Sequence, residues 1–320
     1  MKTMNKAVEA LRRHNKFIIS THVSPDPDAL CSLLAIGFGL EKMGKKVILL
    51  VEAPIPARYK FFPGISKIKH VAQVKNLDYD AAVVVDCGDL SRVGDVQRFI
   101  SQQKPIINID HHVTNDFFGS INYVDEKASS TAEIMYELLK VLKIQFTRDL
   151  ATNIYCGIMT DTGSFRYENT TARTHMIVAD LLGFSIPVYG LYKKLYEMVP
   201  LPDMKAFVRL INRFETFAGG KIVCLTLSMA DQNKFTEEFD LRDTVFKFLR
   251  SIQGVEAHVI LTVVNSKLTR VNLRSSGKLN VAKVAQEFEG GGHRMASGCK
   301  LMLGAAQSKK KIVETIIKAL

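Results

Sequence analysis

The sequence predicts an α/β protein in two parts: an N-terminal domain built on a mostly parallel sheet flanked by helices, linked to a smaller α/β domain with a mixed sheet. Three observations predict it. Short β-branched runs alternate with helical patterns through the first 185 residues, as buried parallel strands joined by helices require. Pro187, Pro200 and Pro202 break the pattern between Ile186 and Asp203. Beyond them two strand patterns stand close together, His258 to Val264 and Leu268 to Leu273. The expected division is therefore 1–185, a linker at 186–203, and 204–320.

The elements follow in order. Met1 to Ser20 is a charged amphipathic stretch that ends in the strand Phe17-Ile18-Ile19-Ser20. A helix from about Asp28 to Met43 comes next, then strands at Val47 to Val51, Ala81 to Val85 and Ile106 to Ile109. Ser129-Ser130-Thr131-Ala132-Glu133 has capping-box character and opens a helix to about Leu142. Helical patterns cover Arg148 to Thr160 and Thr171 to Leu182, and Leu191 to Tyr196 reads as a helix bridging the domains. The second domain starts with a strand at Lys221 to Leu227 and helices near Thr236 and Val245. After the strand pair come Gly290-Gly291-Gly292-His293, a short strand near Cys299 to Met302, and a basic terminal helix.

Composition narrows the function classes. With 47% hydrophobic and 23% charged residues the chain is globular rather than disordered. No apolar run approaches the roughly 18 residues a membrane helix needs, and the charged start lacks the apolar core of a secretory signal. Cys31, Cys87, Cys156, Cys224 and Cys299 form no CxxC pair, which fits a reducing cytoplasm. The net charge of +11 is unevenly placed: residues 1–203 hold 24 Lys/Arg against 22 Asp/Glu, residues 204–320 hold 19 against 10. A basic second half suits capture of a polyanion that the carboxylate-rich first half processes.

Chemistry is concentrated where strands and helices end, which is where α/β sheets bind ligands. His22-Val23-Ser24-Pro25-Asp26-Pro27-Asp28 follows the first strand, with two carboxylates one residue apart. Val85-Asp86-Cys87-Gly88-Asp89 closes another strand, and Asp110-His111-His112 a third. Asp161 stands at the end of an apolar helix, where an anion is disfavoured unless a cation compensates it. His22, Asp26, Asp28, Asp86, His111 and Asp161 thus form a mixed carboxylate and imidazole set. Such a set suits manganese, with magnesium, cobalt or iron as rivals. Two such ions clamp a phosphoryl group and activate water. In the basic half, Gly290-Gly291-Gly292-His293 lets backbone amides approach an anion, and Arg274 beside Ser275 offers a guanidinium for phosphate.

These five ordered motifs resemble the DHH–DHHA1 phosphoesterase superfamily, and most of all its NrnA-type oligoribonucleases, which also dephosphorylate 3′-phosphoadenosine 5′-phosphate. The resemblance implies one metal on His22, Asp26 and Asp86, and a second on Asp28, Asp86, His111 and Asp161. Asp86, Asp110 and His112 would be catalytic, the last two orienting ligands and touching the reacting phosphate. Arg274, Ser275, Gly290, Gly291, Gly292 and His293 would hold the far nucleotide. Pro27 and Cys31 depart from the family's first loop, where glycines are usual. The implied activity is hydrolysis of very short RNA to 5′-mononucleotides. Alternatives are a linear dinucleotide phosphodiesterase acting on pApA, a RecJ-like single-strand exonuclease, and a non-catalytic nucleotide sensor. Expected partners are short single-stranded RNA and small nucleotides, with no membrane and with a homodimer left open.

Overall fold

The structure is a computed structural model that describes residues 2–236 and 239–320. It divides into two compact units, Met1–Glu197 and Met198–Leu320.

In the first unit, helix α1 (Lys2–Arg13) precedes β1 (Lys16–Ser20), α2 (Pro27–Lys42), β2 (Lys46–Val51), β3 (Lys69–His70), β4 (Ala81–Val85), β5 (Ile106–Asp110) and β6 (Ile121–Val124). Four helices complete it: α3 (Thr131–Val141), α4 (Arg148–Asp161), α5 (Ala172–Leu182) and α6 (Val188–Tyr196). The six strands pair in parallel in the order β3-β2-β1-β4-β5-β6. The chain reverses its direction of sheet growth between β1 and β4, so this pair flanks the topological switch point, the usual place for a ligand.

Continuous apolar strands are explained by a sheet covered on both faces. Phe17, Ile19, Val83, Val85, Ile107 and Ile109 pack into one core with residues of α1 to α5. Their strand neighbours Ile18, Ala82, Val84 and Ile106 pack on the other face against Val93 and Val96. Those two valines come from a 3-10 segment at Leu90–Phe99. The segment 186–203 holds α6, whose Leu191 is buried in the first unit's core, and the start of the next helix.

The second unit contains α7 (Leu201–Ile211), β7 (Glu215–Phe217), β8 (Ile222–Leu227), α8 (Met229–Gln232), α9 (Leu241–Leu249), β9 (Ala257–Asn265), β10 (Leu268–Ser275), α10 (Val281–Gln286), β11 (Gly291–His293), β12 (Ala296–Leu301) and α11 (Ala305–Ala319). The helix expected near Thr236 runs into residues 237 and 238, which lie outside the described residues. Its sheet is ordered β11-β12-β10-β9-β8-β7 and is mixed, because β8 and β9 are parallel while the other pairs are antiparallel. One face packs Cys224, Val259, Leu261, Val271, Leu273 and Cys299 against α10 and α11. The opposite face packs Val223, Leu225 and Ile260 against α7 and α9.

Among the described residues no helix is long and apolar enough to cross a membrane.

Candidate active site

From β1 the chain passes through buried His22 to Asp26, the cap of α2, whose carboxylate accepts a hydrogen bond from the Ala29 amide at 3.0 Å. Pro27 is the first residue of α2, where its fixed φ fits and no amide donor is missed. A proline is thus accommodated here without disturbing the helix start. Asp28 follows, only 2% exposed. Its carboxylate accepts the amides of Thr131 at 2.8 Å and Ala132 at 2.9 Å. Those are the free amides at the start of α3, where an anion is favoured. Gly157 on α4 makes this approach feasible, since a Cβ there would stand 2.7 Å from Asp28 Oδ1 and 2.5 Å from Ala132 Cβ.

Asp86 ends β4 in the left-handed region, at φ 53°, a conformation costing about 1 kcal/mol for a residue with a side chain. The Thr131 hydroxyl donates to its Oδ1 at 2.8 Å. His22 Nε2 and His111 Nε2 each lie 3.7 Å from its carboxylate, and His112 Nδ1 lies 3.8 Å away. At the end of β5, fully buried Asp110 holds His112 Nδ1 at 2.7 Å and accepts from the His111 amide at 2.8 Å. The Asn115 side-chain amide donates to Asp110 at 2.6 Å. His111 Nε2 also lies 3.6 Å from Asp161, the last residue of α4.

Three groups of donor atoms result, each gathered within 4.8 Å: His22, Asp26 and Asp86; Asp28, His111 and Asp161; and Asp86, His111 and His112. All six sequence-predicted cation ligands are therefore brought together, with His112 added. Burial, then the charges of Asp86, Asp161 and Asp26, holds the Asp28 pKa well above the usual carboxylate range. Asp161 is raised well above it too, by burial and then by Asp86 and Asp26. At Asp86, burial is outweighed by the hydrogen bond from His22 and the charges of His111 and His112, so its pKa is lowered. The hydrogen bond to Asp110 raises His112 to about 9.

Among the described residues the ion-pair partners of Asp86 and Asp161 are histidines, with no lysine or arginine. Crowded, desolvated carboxylates with no lysine or arginine beside them are an environment that divalent cations stabilise. The oxygen and imidazole donors fit hard or borderline ions. Cysteine does not take part: burial holds the Cys31 thiol well above its ordinary pKa and pushes Cys87 up to about 12.

Sequence reasoning did not single out Thr131, Asn115 or Asn169. Thr131 lies in a run read as a helix cap, and Ser130 is the residue that caps α3. Asn169 donates to the Ser129 carbonyl at 2.7 Å and the Asp161 carbonyl at 3.2 Å, tying the start of α3 to the end of α4. Glu133 does not complete a capping box. Its buried carboxylate accepts from Ser129 Oγ at 2.6 Å and Thr174 Oγ1 at 2.8 Å.

In the second unit, Arg274 lies near the end of β10 with its guanidinium 4.8 Å from the centre of the Phe246 ring. Ser275 is buried and accepts the Gly277 amide at 3.0 Å. The glycine stretch is a strand edge rather than an open loop. Gly291, Gly292 and His293 pair with Gly298, Ser297 and Ala296. A Cβ on Gly290 would meet the Gly298 oxygen at 2.4 Å, and Gly292 has φ 135°. Two of the three glycines are thus required by the sheet itself, while Gly291 faces open space.

Family models match the two units in turn: the DHH family N-terminal domain over residues 16–158 and the DHHA1 domain over 219–320. The bifunctional oligoribonuclease and PAP phosphatase NrnA of Bacillus subtilis is 30% identical over 320 residues, covering 94% of this chain and 93% of the relative. The chain belongs to the DHH–DHHA1 phosphoesterase family. The enzyme of the same name from Thermus thermophilus is 28% identical over 306 residues, covering 93% of this chain and 88% of its own. An exopolyphosphatase-related protein from Bacteroides fragilis shares the fold with a TM-score of 0.90 at 24% identity, covering 99% of this chain and 96% of that one. As a DHH–DHHA1 phosphoesterase, the chain is a hydrolase.

Proposed function

We propose that this phosphoesterase hydrolyses very short RNA, dinucleotides foremost, to 5′-mononucleotides, and removes a phosphate from 3′-phosphoadenosine 5′-phosphate. The observation that carries the reading is the convergence at the sheet's switch point of donor groups that share Asp86 and His111, in a chain whose relatives bear both activities in their names.

His22, Asp26 and Asp86 would hold one divalent cation, and Asp28, Asp86, His111 and Asp161 the other, with manganese the preferred ion. When bound, the pair supplies polarisation of the phosphoryl group and activation of water. The chain's own residues prepare that event. Thr131 fixes the Asp86 carboxylate, the α3 amides fix Asp28, and Asp110 aims His112 toward the reacting phosphate. Arg274, Ser275, the glycine strand and His293 would hold the distal nucleotide, mainly through its phosphate. Phosphate contacts position rather than specify, so little sequence preference is expected.

The test is a panel of end-labelled RNAs from dinucleotides to long oligomers, with pApA, 3′-phosphoadenosine 5′-phosphate and pyrophosphate, incubated with manganese-loaded protein. Preference for dinucleotides supports the reading, and exclusive cleavage of pyrophosphate overturns it. Asp86→Ala should abolish hydrolysis, while Arg274→Ala should chiefly raise KM.

A further inference from the structure

We propose that Arg173 is a positioning residue for the cation site. Its guanidinium clamps the start of α3 to the turn after β6, so that the groups gripping Asp28, Asp86 and Asp110 keep their places. The proposal rests on the reading of that site as a cation site, and adds to it a residue whose bonded partners are none of the six ligands.

Arg173 is the second residue of α5. A cation in the first turn of a helix faces the positive end of the dipole and is disfavoured there. Three carboxylates offset this. Nη1 donates to Asp125 at 2.9 Å, and Nε donates to Glu137 at 2.7 Å while lying 3.2 Å from Glu133. Nη2 lies 2.7 Å from the second oxygen of Glu137. Only a planar fork with several donors reaches three acceptors at once, and a lysine ammonium lacks that shape.

Two of these partners belong to segments that hold the site. Glu133 stands in the first turn of α3 and is fully buried. That turn supplies the Thr131 and Ala132 amides to Asp28 and the Thr131 hydroxyl to Asp86. Asp125 follows β6, and its amide donates to the Asp110 carbonyl at 3.0 Å. Asp110 in turn holds His112. One guanidinium therefore joins the helix start that grips Asp28 and Asp86 to the strand end that carries Asp110. Thr174, the next residue, adds its hydroxyl to Glu133 at 2.8 Å, so the starts of α3 and α5 are tied twice. Among the described residues no other lysine or arginine pairs with Glu133. A buried carboxylate that loses its cation must move toward water or take up a proton. Either change disturbs the turn it belongs to.

The same two helices meet again farther along, where Asp180 of α5 accepts from the Tyr136 hydroxyl of α3 at 2.6 Å and lies 3.0 Å from Lys140. Tyr136 and Lys140 lie past the turn that grips Asp28 and Asp86. Loss of the Asp180 contact therefore loosens α5 on α3 without touching the start of α3, which separates general docking of the helix from positioning of the site.

The experiment uses the full-length protein with Arg173→Met, with Arg173→Lys, which keeps the charge without the fork, and with Asp180→Asn as the control. Calorimetric titration of chelator-stripped protein with manganese reads the site without any substrate. Amide exchange in chelator reads the Thr131 and Ala132 amides directly, since local opening of the α3 start exposes them. In Arg173→Lys the manganese affinity should fall about tenfold, the lower end of the range for groups that orient metal ligands. The Thr131 and Ala132 amides should exchange faster, and on a dinucleotide kcat should fall about tenfold with KM nearly unchanged. Arg173→Met should lose at least as much, and where it does not fold the lysine variant carries the test. Asp180→Asn should keep the wild-type affinity, exchange and kcat. Arg173→Lys protein that binds manganese as tightly as the wild type would overturn the proposal, as would an equal loss in Asp180→Asn. Wild-type protein that takes up no manganese would overturn the cation reading itself.

Discussion

Replacing Thr131 with valine tests whether the buried carboxylates work as a prepared cation site. Valine keeps the β-branched shape and the backbone amide, so Asp28 retains its bond to the start of α3. Only the hydroxyl that donates to Asp86 at 2.8 Å is lost. A hydrogen bond to a buried charged group is worth about 1.5–3 kcal/mol, and each 1.4 kcal/mol is about tenfold. Manganese affinity and kcat/KM should therefore fall about 10- to 100-fold, the range seen when a group orienting a metal ligand is removed. Thr131→Ser restores the hydroxyl and should recover most of the loss. Calorimetric titration of chelated protein with manganese reads the affinity, initial rates on a dinucleotide read the activity, and a thermal melt in chelator reports the fold. Valine protein that binds manganese as tightly as the wild type would refute the idea that Asp86 needs its hydroxyl partner.

The glycine strand separates packing from binding. Gly290→Ala should lower the melting temperature, because its Cβ would meet the Gly298 oxygen at 2.4 Å, whereas Gly291→Ala meets nothing within 4 Å. If Gly291→Ala melts like the wild type but binds RNA more weakly, the open position serves the ligand. His258 should make the second unit acid-sensitive: burial, and then Arg250, lowers its pKa from 6.5 to about 4. Between those values the unfolded chain takes up the proton and the folded one does not, so stability falls as pH drops through that window. Urea midpoints from pH 7 to 4 should fall less steeply in His258→Gln than in the wild type, and parallel curves would contradict this.

How much of this was legible beforehand follows from where each signal lies. The convergence of the polar loops was readable because continuous apolar runs such as Ala81 to Val85 announce buried parallel strands, and a carboxylate just past such a run falls at the end of the sheet. The second covering layer was not readable. The 3-10 segment at Leu90–Phe99 has no helical periodicity, yet its Val93 and Val96 seal one sheet face. Thr131 was hidden for a different reason. Its hydroxyl serves a residue 45 positions away, and no local pattern marks a contact of that range. In the glycine stretch the strand was not legible: composition suggested a loop, whereas residues 291–293 pair with β12 and Gly290 and Gly292 pack closely against it.

The switch between β1 and β4 also orders events in time. A ribosome delivers His22, Asp26 and Asp28 first and Asp161 long afterward, and Asp86 and His111 take their places only when β4 and β5 have joined the sheet. Before then a cation meets a few flexible carboxylates and gains little. Once α3 has docked and its amides have gripped Asp28, the same cation would meet carboxylates and imidazoles already crowded together. Metal uptake at such a site would therefore close the folding of the first unit instead of seeding it.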